Sequence, residues 1–102
     1  MALSQSTLTT SAASIYTSSG QSAVTTMYLC NFSGSDATAT VYLVANGSSA
    51  GNNNIIYKTI PIAAGDTYII DTERLVLDTG DSVQALASAN TSISMTVSHV
   101  GV

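Results

Sequence analysis

A catalytic or metal centre in this sequence would have to be assembled from one histidine, one cysteine, six carboxylates and a surplus of hydroxyls. His99 has no second histidine to join it, so a zinc cluster or a histidine-based relay lacks parts. It is expected as an exposed or hydrogen-bonded structural residue. The acids are Asp36, Asp66, Asp71, Glu73, Asp78 and Asp81. A glycosidase needs two of them converging across a cleft. A calcium site needs about six oxygens from a dense acidic loop, and Asp78-Thr79-Gly80-Asp81 is too sparse. Turn-stabilising roles fit these acids better. No serine sits in a GxSxG elbow, and no phosphate loop or dinucleotide glycine pattern occurs. The residue types therefore predict no catalytic, cofactor-binding or metal-binding residue, and no enzyme.

Cys30 stands alone, which rules out an internal disulfide. Its run, Met27-Tyr28-Leu29-Cys30-Asn31-Phe32, brings no cation to activate a thiolate. A buried apolar thiol is expected. Three glycosylation-type sequons, at Asn31, Asn46 and Asn90, arise readily by chance where Ser and Thr are so common.

The elements that must position these residues read as strands. Ala37, Ala39, Val41, Leu43 and Ala45 alternate with Thr38, Thr40, Tyr42 and Val44. Ile93, Met95, Val97 and His99 alternate with Ser92, Ser94, Thr96 and Ser98, and Ser82 to Ala89 repeats the pattern. Successive strand side chains point to opposite faces, so these are half-buried strands. Further strands are predicted at Ser14–Ser18, Ala23–Phe32, Asn54–Ile62, Thr67–Asp71 and Leu75–Leu77, and within Leu3–Thr10. Gly-, Asn- and Asp-containing turns separate them at intervals of roughly ten residues. Asp71-Thr72-Glu73-Arg74 is the one place for a turn or single helical turn. Ala64-Gly65-Asp66-Thr67 echoes Thr79-Gly80-Asp81-Ser82: each sets Gly-Asp before a strand. Ala45 to Asn54 is the longest loop, and its Gly, Ser and Asn content makes it a mobile candidate contact site.

Together these signals predict one domain over residues 1–102. It is an all-β, antiparallel β-sandwich of about seven to nine short strands, jelly-roll or immunoglobulin-like. At 102 residues the chain buries roughly 60–70% of its unfolded surface, enough for one core between two layers.

Charge narrows the function. Only 8% of residues are Asp, Glu, Lys or Arg, against about 25% in an average soluble domain. Lys58 and Arg74 are the only cations and the net charge is -4, which argues against nucleic-acid or anionic-membrane partners. Ser and Thr supply 30 of the 102 residues. Such a surface is wet but weakly repulsive, and it favours a subunit of an assembly. Met1-Ala2-Leu3-Ser4 lacks the features of a signal peptide, and no apolar run reaches membrane-helix length, so the expectation is a chain made inside the cell.

The runs Ile15-Tyr16-Thr17, Ala23-Val24-Thr25-Thr26-Met27-Tyr28-Leu29-Cys30-Asn31 and Ala37 to Val44 carry a resemblance. It continues through Ile60-Pro61-Ile62-Ala63-Ala64-Gly65-Asp66-Thr67, Leu75-Val76-Leu77 and Gly80-Asp81-Ser82-Val83-Gln84-Ala85. Together these runs resemble small virion structural proteins of tailed bacteriophages. The resemblance covers most of the chain through strand-and-turn patterns and brings no catalytic residues. It implies a β-sandwich made in the host bacterial cytoplasm and located in the virion. It also implies a homo-oligomer, often a trimer, bound to major capsid or tail proteins. Capsid decoration (a cement subunit) ranks first; a neck, tail or fibre accessory follows. A glycan- or receptor-binding module is the alternative, based on Tyr16, Tyr28, Tyr42, Tyr57 and Tyr68. Tyr42, on the polar phase of its strand, is the expected exposed ring.

Overall fold

The structure, a computed structural model, describes residues 2–71 and 75–101. It is an all-β antiparallel sandwich of nine strands. They are β1 (Ala2–Thr7), β2 (Ala13–Thr17), β3 (Ser22–Asn31), β4 (Ala37–Val44) and β5 (Ile55–Ile62), then β6 (Thr67–Ile70), β7 (Leu75–Leu77), β8 (Ser82–Ala87) and β9 (Ile93–Gly101). Each lies within a few residues of a segment expected from alternation. The turn expected over Asp71-Thr72-Glu73-Arg74 falls, beyond Asp71 itself, outside the described residues.

One sheet runs β1-β9-β3-β6, with β7 also pairing β3; the other runs β2-β8-β4-β5. β6 and β7 share one position, because β6 pairs with Met27–Cys30 and β7 with Ser22–Val24. The result is two four-position sheets joined by crossovers, which is the jelly roll and not the immunoglobulin order.

The register shows how the sequence makes this path. Ala2 faces His99, Ala13 faces Ala85, Met27 faces Ile70, and Ala37 faces Ile62. Every pair is nearly symmetrical about residues 49 and 50. The chain is thus one long hairpin, bent at the Ala45–Asn54 loop. The ribbon then rolls so that β9 meets β3 and β8 meets β4.

Rolling buries the apolar phase of each strand. Met27, Leu29, Ile93, Met95 and Val97 meet Val41, Val83 and Ala85 in one core. The phase of β3 switches from Val24 to Met27 because a bulge inserts Thr25 between the partners of His99 and Ser98. That bulge leaves Cys30 on the outer face, opposite Ser94 and Thr67. Cys30 is half-buried there, which corrects the expectation of a buried thiol.

Candidate functional site

Among the described residues the titratable groups fall at several separate places in the fold. His99 sits at the sandwich end of β9, where its Nε2 lies 3.2 Å from Ser4 Oγ. Its ring stacks on Tyr16 with centroids 3.8 Å apart and planes 19° apart. The Tyr16 hydroxyl donates to Ser22 Oγ at 2.8 Å, and Ser18 Oγ lies 2.7 Å from the same atom. This ring pair bridges the two sheets, with His99 half-buried and hydrogen-bonded to Ser4. Among the described residues no three His, Cys, Asp or Glu groups converge as metal ligands.

The acids lie in turns. Asp81 accepts from the Asn46 amide at 2.9 Å and, through its other oxygen, from the Asp78 amide at 3.0 Å. Asp78 accepts from Gln21 Nε2 at 3.1 Å, and Asp36 from the Ala64 amide at 3.1 Å. Asp36 and Asp66 also edge an open depression of about 410 Å³ with Thr38, Pro61, Ala63 and Ser88. Glu73 lies outside the described residues.

The two Gly-Asp segments form the same device twice. Gly65 and Gly80 have φ of 80° and 87°. The Asp66 amide closes its turn on the Ala63 carbonyl, and the Asp81 amide closes on Asp78. Each turn then plugs into one buried polar residue. Asn31 donates its amide to Asp66 O and accepts from the Gly65 amide; Ser18 does the same with Asp81 and Gly80. Sequence reading missed Asn31, which looked like a chance sequon. It is fully buried, and the only signal was a polar residue closing an apolar run.

The tyrosines are sorted differently from expectation. Tyr42 is buried, at 9% exposure, and is not the exposed ring. Alternation assigns it to the outer face correctly, but β4 is a central strand. Gln84 and Ile55 flank Tyr42 in register. Tyr28 and Tyr68 are the exposed rings. The Ala45–Asn54 loop is tied down by its own bonds: Asn54 Nδ2 donates to Ser49 O, and the Gly51 amide donates to Asn54 Oδ1, both at 2.9 Å.

What the fold does assemble is a surface. Among the described residues, six of the seven exposed large apolar side chains belong to the β1-β9-β3-β6/β7 sheet or its strand ends: Leu3, Tyr28, Phe32, Ile69 and Val76, together with Tyr68, which pairs with Leu29 and so lies on the opposite phase from Ile69 at the sheet edge. Those five strands contain no Asp, Glu, Lys or Arg. On the outer face Tyr28 lies between Thr96 and Ile69, and Gln5 Nε2 donates to Thr96 Oγ1 at 3.3 Å. A partner can therefore cover apolar rings and hydroxyls there without dehydrating a charge.

No family model and no curated protein matches the chain. Among solved structures it is similar to a chain of Bacillus endospore appendages, described as a novel family of disulfide-linked pili. The two are 20% identical, with a TM-score of 0.52 over 99% of this chain and 84% of that one. The likeness supports the sandwich fold.

Proposed function

We propose that this chain is a non-enzymatic structural subunit of a large assembly, and that the assembly is the virion of a tailed bacteriophage. The observation that carries the reading is the sheet whose strands carry no charge and which holds six of the seven large apolar side chains exposed among the described residues. Asp36, Asp78 and Asp81 accept hydrogen bonds within turns, and His99 stacks on Tyr16 between the two sheets, which suits a structural use of these groups. The likeness of fold to a pilus subunit supports assembly as the use of this sandwich. The resemblance to phage accessory proteins supports the virion, with capsid decoration ahead of a neck, tail or fibre position. Quantitative mass spectrometry of purified virions tests this directly. Many copies per particle are expected. A chain abundant in infected cells yet missing from particles overturns the virion reading.

Exposure of Tyr28 beside Thr96 and Gln5 favours a second reading, a glycan- or receptor-binding module, since rings flanked by hydroxyls and amides suit sugar faces. Binding on a glycan array that is lost in Tyr28→Ala would favour it; a blank array removes it.

A further inference from the structure

A β-sandwich has four sheet edges, and an edge strand offers unpaired amides and carbonyls to any strand that can reach them. Three of the four edges here are blunted among the described residues. β5 carries Lys58, Pro61 and two extra residues, one at each of two register shifts against β4, and Thr59 has a φ of 50°. β2 has five residues and a bulge between Ser14 and Tyr16. The edge beside β3 is divided into β6 and β7, four and three residues long.

β1 has none of these protections. Its six residues, Ala-Leu-Ser-Gln-Ser-Thr, pair with β9 in unbroken register from Ala2–His99 to Thr7–Ser94. They include no charge and no proline, and all but Ser4 are exposed. The ladder also shows which backbone groups are free. The Leu8 amide donates to Ile93 O at 2.8 Å, so Leu8–Ile93 is a hydrogen-bonded pair. Bonded and non-bonded pairs alternate along an antiparallel ladder. Ala2, Ser4 and Ser6 therefore bond inward to β9. Leu3, Gln5 and Thr7 direct their amides away from the sheet.

We propose that β1 pairs antiparallel with β1 of a second copy, about a two-fold axis at Gln5. This arrangement sets Gln5 opposite Gln5 of the partner and Leu3 opposite Thr7, and it joins two sheets into one across the dimer. A strand is the occupant because only a strand satisfies amides spaced two residues apart. A second copy of β1 is the occupant because it is the one edge free of blunting among the described residues, and an uncharged edge meets itself without repulsion. The proposal rests on the assembly reading for its use but not for its test, which needs no virion.

Analytical ultracentrifugation of the full chain over a dilution series is the first measurement. Gln5→Pro removes one outward amide and spares the bonds to β9, and Leu3→Lys places a charge beside the join. Each is expected to weaken dimerisation by at least about tenfold. Leu3→Lys settles the matter if Gln5→Pro fails to fold. Directly bonded partners have Cα atoms about 5.5 Å apart, inside the disulfide range of about 4.4–6.8 Å. Gln5→Cys in a Cys30→Ser background should therefore form a cross-copy disulfide on mild oxidation. A wild-type chain that stays monomeric throughout, or a dimer indifferent to Leu3→Lys, overturns the pairing. A dimer that behaves as stated in a chain missing from virions leaves the pairing intact and removes only the virion.

Discussion

Asn31 uses all four of its side-chain hydrogen-bonding positions inside the protein. Its Nδ2 donates to Ser35 O at 2.8 Å and Ile62 O at 2.9 Å. Its Oδ1 accepts from the Ser33 amide at 3.0 Å and hydroxyl at 2.7 Å. Asn31→Ala leaves the Ile62 carbonyl buried without that partner and frees the turn that follows β3. A loss of about 2–4 kcal/mol in urea unfolding is expected, since each unsatisfied buried group costs about 1–3 kcal/mol. An unchanged urea midpoint would mean that water replaces the amide. The opposite result is expected at Ile69, which is 52% exposed. Ile69→Lys should leave unfolding within about 0.5 kcal/mol of wild type, as surface changes do, while the proposed virion role predicts reduced binding to the particle. A binding curve matching wild type would remove the apolar face from the docking surface. Neither placement was legible in the sequence. Residue type tells what a side chain can bond, and only its neighbours decide whether it must.

At the scale of elements, the repeated Gly-Asp turn was visible as a faint echo, but its sockets were not. Gly65 and Gly80 both hold positive φ, so alanine at either strains the backbone by about 1–3 kcal/mol. They differ in surroundings. A Cβ at Gly65 meets open space, whereas one at Gly80 runs into the Asn46 side chain. Thermal melts should therefore rank wild type above Gly65→Ala, and Gly65→Ala above Gly80→Ala. Equal melting temperatures for the two variants would show that Asn46 moves aside freely. The strands were nearly all legible, because their alternation is a local property with a period of two. The bulge at Thr25 was not, since it shows only as two in-phase runs, Val24 and then Met27 and Leu29, whose offset becomes visible against β9.

For the whole molecule, almost every pairing joins residues far apart in sequence, and only the β4–β5 hairpin is local. Pairing β1 with β9 closes a loop of nearly the whole chain. Stopped-flow refolding is expected on the milliseconds-to-seconds scale common to all-β domains. A microsecond phase that recovers all native signal would contradict folding limited by these long-range pairings.

Alternating apolar residues and turn chemistry by themselves determined the strands and the sandwich, because each follows from spacing within a few residues. Tertiary structure alone decided between jelly roll and immunoglobulin order, buried Tyr42, placed Cys30 outside and left β1 as the bare edge. Those outcomes depend on which strand lies beside which. A period of two states which face a side chain takes, and it carries no information about what covers that face.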